Sequence, residues 1–420
     1  MQRLYYTLYD SFEGPVAPLH TGGAFYFVGP LDVGALAQSF TLACSHHQAL
    51  AARLHVEDGI VEQTFDGPPP ELARTDLTSL PADERLREAT RIVDDCRTRV
   101  FALADGDALV RGHLVSLASD EAVLVVVAHH VVSDLRSIQV LHDTILAFYR
   151  HLVEGTLPPP APPRFADYLQ SELAVRGSAS FQPNRAFWGE WLKDPTWVGP
   201  PPKGAALDCF EEPLEDDFRE LVVAEAKRFG VRNYAVLLGR YARALDRWGG
   251  HRDLTVGVIV LNREPKFADV FGCLAQWLPV RVRLEPDSSP EAAARRCHAA
   301  FSDATTHALP LGEIAGAVKR SRMFDLALCA NWMPGVGGHT PLDTGAQIVE
   351  LAREITPQGR QRFPAERIGD LEAAQYLFAQ RMSQFTLGFW TYPKSIVCHF
   401  NSAVLSGGDA RAVIRTFTAR

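Results

Sequence analysis

Apolar residues run unbroken from Ala122 to Ala128, Ala-Val-Leu-Val-Val-Val-Ala. A run of this length, rich in β-branched residues, predicts a strand buried on both faces. Beyond it Ser137, Ile138, Leu141, Ile145, Phe148 and Leu152 recur at helical spacing, which predicts a helix over 137–152. Upstream, Phe25–Val28 reads as a strand closed by Gly29-Pro30, and Asp32 is placed to cap a helix presenting Val33, Leu36, Phe40 and Ala43 on one face. In the second half Tyr234, Leu237, Leu238, Tyr241, Leu245 and Trp248 form a helical stripe, read as core rather than as a cofactor box. Gly249-Gly250 ends that helix, and Leu254–Val260 predicts another buried strand. Leu278, Val280, Val282 and Leu284 alternate with Pro279, Arg281 and Arg283, the pattern of a half-exposed strand. Further strands are expected at Leu326–Ala330, Phe385–Phe389 and Ile396–Phe400. Strand and helix patterns thus alternate in both halves, giving an α/β protein of two lobes, residues 1–175 and 176–420. The proline-rich stretch Pro158–Pro163 is expected to be an extended spacer.

Composition narrows the function classes. A chain of 420 residues that is 47% hydrophobic can fill two cores. Its net charge of -8 and lack of a long basic run argue against nucleic acid as the main partner. No apolar stretch is long enough for a membrane span, and Met1–Tyr6 lacks the apolar centre of a signal peptide. Seven scattered cysteines with no Cys-x-x-Cys pair suggest neither a zinc site nor a disulfide framework, so free thiols in a reducing cytoplasm are expected. Neither a phosphate-cradling nor a dinucleotide fingerprint is present. Gly337-Gly338-His339-Thr340 mimics a phosphopantetheine attachment loop, but threonine replaces serine and no four-helix pattern surrounds it, so it reads as a glycine-rich loop.

The candidate chemistry follows the buried run directly: His129-His130-Val131-Val132-Ser133-Asp134. A strand ending here delivers two imidazoles to the point where the chain leaves its sheet. Near pH 6.5 an imidazole changes charge, so at neutral pH it can accept a proton from an amine, alcohol or thiol. Plainer readings exist for each residue alone. The histidines can be polar residues at a sheet rim, and Asp134 can be the N-cap of the following helix.

This segment resembles the H-H-x-x-x-D motif of the superfamily that includes nonribosomal peptide synthetase condensation domains, chloramphenicol acetyltransferase and CoA-dependent acyltransferases. Other landmarks stand in the order of the condensation family: Gln2-Arg3-Leu4-Tyr5, Gly29-Pro30-Leu31-Asp32, His47-Gln48-Ala49-Leu50, Phe165-Ala166-Asp167-Tyr168 and Phe187–Leu192. Then come Asn262-Arg263, Phe271–Pro279 and Ser321-Arg322-Met323-Phe324-Asp325. The resemblance implies two chloramphenicol-acetyltransferase-like lobes forming a V, with an active-site tunnel between them. It implies transfer of an acyl group from a carrier-protein phosphopantetheine thioester to an amine or hydroxyl, with no bound cofactor or metal. His130 would be the general base or proton relay. His129 would support the fold, and Asp134 would anchor the loop through a cation rather than act on substrate. No serine or cysteine nucleophile stands beside the histidines, which favours direct transfer over an acyl-enzyme. Leu135, Ser137, Gln276 and Trp277 are expected along the tunnel.

Four departures from the family pattern bear on the site. Leu135 replaces a customary glycine; were positive φ needed there, leucine would cost about 1–3 kcal/mol, and its side chain would narrow the donor channel. His46 and Ala51 stand where arginines are usual, so Arg53 and Arg263 become the candidate partners of Asp134. Gln276-Trp277 replace Asn-Thr, and Phe385-Thr386-Leu387 replaces a late Phe-Asp-Leu. Three other readings stay open: an acyltransferase using soluble acyl-CoA, an epimerisation-type activity, and a non-catalytic condensation-like domain that docks carrier proteins or tailoring enzymes.

Overall fold

The computed structural model describes residues 2, 20–58, 60–103, 106–194, 207–319, 323–330, 360–362, 366–368, 371–378, 385–392 and 395–420. Along the first half run β1 (His20–Val28), α1 (Val33–His46), β2 (Arg53–Glu57), β3 (Ile60–Thr64), β4 (Leu72–Asp76) and α2 (Ala82–Thr98). They are followed by β5 (Val110–Ala118), β6 (Glu121–His129), α3 (Leu135–Glu154) and α4 (Phe165–Ala174). The second half contains α5 (Phe181–Trp191), β7 (Leu207–Pro213), α6 (Phe218–Phe229), α7 (Asn233–Gly249), β8 (Asp253–Val260) and β9 (Gln276–Arg283). Next come α8 (Pro290–Thr306), α9 (Leu311–Val318), β10 (Leu326–Ala330), β11 (Arg360–Arg362), β12 (Glu366–Ile368) and β13 (Leu371–Phe378). The chain closes with β14 (Leu387–Thr391), β15 (Ser395–Asn401) and α10 (Gly407–Thr418).

Two large sheets carry the architecture. The first has the order β11-β13-β1-β6-β5-β4, with β12 on β13; the second has the order β7-β15-β14-β10-β8-β9. β6 lies inside its sheet between β1 and β5, and every residue from Ala122 to Ala128 is buried. That is why its apolar run shows no alternation. Each sheet packs its helices over a separate hydrophobic core. The α7 stripe fills the second core, and Gly250, left-handed at φ 71, ends that helix.

Three features depart from the expectation. Strand β9 is not half exposed: only Arg283 of its eight residues reaches solvent. Arg281 is buried because Asp253 and the carbonyls of Trp191, Lys193 and Asp194 take up its guanidinium hydrogens. A buried arginine satisfied in this way mimics the polar face of an amphipathic strand. Strand β14 begins two residues later than expected, because Thr386 uses its N–H and hydroxyl on Asp325 instead of a ladder. The boundary near residue 175 does not separate the sheets in chain order: β13 returns to pair with β1 in the first sheet, Tyr26 opposite Ala374. Gly337–Thr340 and the segments Arg3–Tyr5 and Ser321-Arg322 fall outside the described residues.

One connection ties the cores together. The loop between β8 and β9 belongs to the second sheet by chain order, yet its Phe267, Val270, Phe271 and Leu274 pack in the first core. Gly272 makes the close approach possible, since a Cβ there would lie 2.3 Å from the Phe165 ring.

Candidate functional site

β6 delivers His129 and His130 to the rim of the first sheet, and Asp134 opens α3 four residues after His130. His129 pairs opposite His20 on β1 and is fully buried. Its Nδ1 accepts the Val131 N–H at 3.1 Å, and its ring meets those of His20 and Phe101 edge-on. Burial, reinforced by the neighbouring His20, His130 and Arg111, drives its pKa well below the usual imidazole value. His129 is therefore a neutral packing residue.

His130 keeps 7% of its surface accessible. Its Nδ1 lies 2.6 Å from the Ser133 carbonyl oxygen. A carbonyl can only accept, so the proton sits on Nδ1 and the lone pair of the neutral ring on Nε2. Burial lowers the pKa of this imidazole, opposed by the Ser133 carbonyl and the Asp134 charge. The balance keeps the ring neutral near pH 7, the form that accepts a proton. Gln2 holds the loop from outside, its amide donating to the Val131 carbonyl at 2.7 Å.

Asp134 does two structural jobs and faces no open space. As N-cap of α3 its Oδ1 accepts the Ser137 N–H at 2.8 Å. The same oxygen accepts from Arg263 Nη2 at 2.8 Å, while Oδ2 accepts the N–H groups of Leu274 and Ala275 at 2.9 and 2.8 Å. Burial by itself would raise this carboxyl's pKa; Arg263 and the Ala275 and Ser137 donors outweigh it and hold the group charged. Both candidate readings of Asp134 are thus present at once, helix cap and cation-bound anchor.

Of its two candidate partners, Arg263 occupies the place, its Nη1 also donating to the Val270 carbonyl at 2.6 Å. Arg53 does not reach it. That guanidinium donates instead to the carbonyls of Ala52 and Pro68, because the backbone folds around it there. Ser137 is not a tunnel residue either. It is fully buried, and its hydroxyl lies between Asp134 Oδ1 and the Gly272 carbonyl while accepting from Gly272 N–H and Arg263. Trp277 is 1% exposed and packs in the second core, with ring centroids 5.6 and 5.1 Å from Phe324 and Phe385. Gln276 opens β9 buried, its Oε1 with no hydrogen-bond partner among the described residues. Leu135 is half-buried against the first core as the first residue of α3, so no positive φ is demanded of it.

Sequence reading passed over Thr21, whose hydroxyl meets that of Ser133 across the β1–β6 edge. Nothing in the local sequence marks a threonine on β1 as part of a loop more than a hundred residues away. Among the described residues, no group of three or more His, Cys, Asp or Glu side chains could hold a metal ion, and no helix is long and apolar enough to cross a membrane. Among the described residues the cysteines form no disulfide.

Two α/β lobes thus meet at a buried ion pair beside a paired-histidine loop. The chain matches the condensation domain model over residues 1–333 and belongs to that family, which forms amide bonds by acyl transfer in nonribosomal peptide biosynthesis. Among its relatives, phosphinothricin tripeptide synthetase PhsC of Streptomyces viridochromogenes is 28% identical over 297 residues, 67% of this chain and 27% of that protein. Cyclosporin synthetase simA of Tolypocladium inflatum is 26% identical over 68% of this chain and 2% of its own length. The chain therefore spans a small part of these synthetases.

Solved structures share the fold across 99% of this chain. SgcC5 of Streptomyces globisporus superimposes with a TM-score of 0.76 at 19% identity, covering 96% of that protein. The first condensation domain of the calcium-dependent antibiotic synthetase gives a TM-score of 0.76 at 20% identity, covering 92% of that chain. VibH, a nonribosomal peptide synthetase condensation enzyme, gives 0.76 at 16% identity, covering 94% of that chain. The chloramphenicol-acetyltransferase-like pair of lobes is common to this fold.

Proposed function

We propose that this domain transfers an acyl group from a thioester on the phosphopantetheine arm of an acyl or peptidyl carrier protein to an amine or hydroxyl acceptor, with His130 as the proton acceptor. The acceptor nitrogen or oxygen attacks the thioester carbonyl. Its proton passes to His130 Nε2, the C–S bond breaks as the C–N or C–O bond persists, and the proton goes on to the departing thiolate. Amide or ester and free thiol are the products, with no covalent enzyme intermediate. A positioned base contributes about 10²–10⁴ in rate, and holding donor and acceptor in contact contributes the rest by replacing a bimolecular encounter. The two reactants meet in a tunnel between the lobes, with Leu135 and Gln276 nearest its donor and acceptor sides, in the reducing cytoplasm.

The observation that supports this reading is the 2.6 Å contact between His130 Nδ1 and the Ser133 carbonyl oxygen. With Nδ1–H committed to the Ser133 carbonyl, a neutral imidazole has its basic nitrogen on the opposite edge. The test is single-turnover transfer from a loaded carrier protein to candidate amines and alcohols, followed by intact mass. His130→Ala is expected to slow transfer by about 10²–10⁴ with folding unchanged; product at the wild-type rate removes the base from the mechanism. Supplying the same acyl group on CoA separates carrier-dependent transfer from use of a soluble donor. Uniform failure with every donor, in a folded protein, would favour a docking role.

A further inference from the structure

The structure assigns Thr21 and Ser133 as a positioning pair that fixes the tautomer of His130, an inference that rests on His130 being the base. Thr21 is buried on β1, in register with Ala128. Ser133 is buried in the loop after β6, and the two hydroxyls are hydrogen-bonded to each other. Ser133 Oγ donates to the His129 carbonyl at 3.1 Å. Either hydroxyl of the pair can donate; with the Ser133 proton on the His129 carbonyl, Thr21 O–H donates to Ser133 Oγ. Thr21 Oγ1 also lies 3.4 Å from the Ala128 carbonyl, a second acceptor on the strand itself.

The consequence reaches His130 through the backbone of Ser133. Its side chain is pulled toward β1 and β6, while the Val132 N–H closes the same turn onto the His129 carbonyl at 3.0 Å. The Ser133 carbonyl is thereby aimed at His130 Nδ1. With the proton on Nε2 instead, two lone pairs would face each other across 2.6 Å, so the loop geometry selects the Nδ1–H form. Neither hydroxyl touches the reacting atoms in this arrangement. Both act by holding one carbonyl still, and a buried hydrogen-bond chain of this kind is costly to leave half made.

The test pairs kinetics with a spectroscopic readout. Histidine side-chain ¹⁵N shifts report which ring nitrogen carries the proton, and His130→Gln identifies the signal by its disappearance. Wild-type protein is expected to show a single His130 tautomer protonated on Nδ1. Thr21→Val, which removes the hydroxyl at constant shape, is expected to populate the other tautomer and lower kcat about tenfold, whereas Thr21→Ser restores both. Should Thr21→Val not fold, Ser133→Ala removes the partner hydroxyl and keeps the carbonyl. An unchanged tautomer or an unchanged kcat in a folded hydroxyl-free variant overturns the assignment. His130→Gln separates the two layers: if it retains wild-type turnover, the base itself is wrong, but if it is inactive while the hydroxyl variants match wild type, only the positioning pair falls.

Discussion

The two ends of the loop from His129 to Asp134 are both buried, yet one is neutral and the other charged. At the histidine end stand imidazoles that burial keeps neutral, His129 together with its neighbour His20, whose pKa is lowered to about 3. At the aspartate end a full carboxylate is held charged by an arginine and three backbone N–H groups. Burial penalises charge in both places. The difference is the supply of donors. Asp134 meets enough of them to repay desolvation, and the histidines meet carbonyls and aromatic edges that suit a neutral ring. Three residues therefore separate the neutral imidazole of His130 from a carboxylate that cannot leave its charged state without loosening the junction of the lobes.

The largest effect is expected from breaking the aspartate end. Asp134→Ala leaves Arg263 buried beside three unanswered N–H groups, and removing one partner of such a pair costs about 3–5 kcal/mol. Urea unfolding is expected to show that loss, with Arg263→Ala close behind and the double variant less than additive. Arg53→Ala supplies the contrast. Its guanidinium donates to the Ala52 and Pro68 carbonyls and interacts with the Asp66 and Asp107 charges rather than with Asp134, so a cycle with Asp134→Ala is expected to show no coupling. Strong Arg53–Asp134 coupling would put the junction in the wrong place.

Acid sharpens the comparison from the other end. His20 and His47 each have a folded-state pKa near 3, lowered chiefly by burial. Their unfolded counterparts titrate near 6.5, so between these limits the unfolded chain binds more protons and stability falls as pH falls. At pH 4 each site costs ~3 kcal/mol at about 1.4 kcal/mol per pH unit. Asp134 loses its contribution only below the ordinary aspartate range, because its folded pKa is lowered from that range. The two ends should then fail in separate windows. His20→Asn retains a donor for the Arg97 carbonyl and is expected to flatten the slope between pH 6.5 and 4. An unchanged slope in that variant would mean His20 is already charged in the folded protein.

Much of this arrangement is legible from periodicity, and what is not has a common cause. The unbroken Ala122–Ala128 run, the α7 stripe and the cap at Asp32 are local signals, and the structure forms elements at each. What local pattern could not carry is pairing across distance. Arg281 looks solvent-facing until Asp253 and three carbonyls from the α5 end are placed around it. The return of β13 to β1 depends on chain that has already crossed the second sheet. At the site, the histidines and Asp134 stand in one short motif, while Arg263, Thr21 and the Leu274 and Ala275 amides arrive from other elements. Arg53 and Arg263 could not be distinguished as partners without those elements in place.

The smallest expected effect concerns Leu135, where resemblance and geometry pull apart. The family resemblance leads one to expect a glycine at this position, and with it a backbone that leucine would strain. Asp134 instead has extended dihedrals, φ -132 and ψ 177, and the helix begins at Leu135 itself. A first helical residue has no use for left-handed freedom, and this side chain is half-buried on the first core. Leu135→Gly is therefore expected to destabilise by about 1 kcal/mol, from lost helix propensity and a few lost apolar contacts. A shift of the urea midpoint in the stabilising direction would show instead that strain is stored at the start of α3. Because the substitution leaves Asp134, Arg263 and the Ser133 carbonyl untouched, any accompanying gain in transfer rate with bulky donors would report the width of the donor path rather than the integrity of the loop.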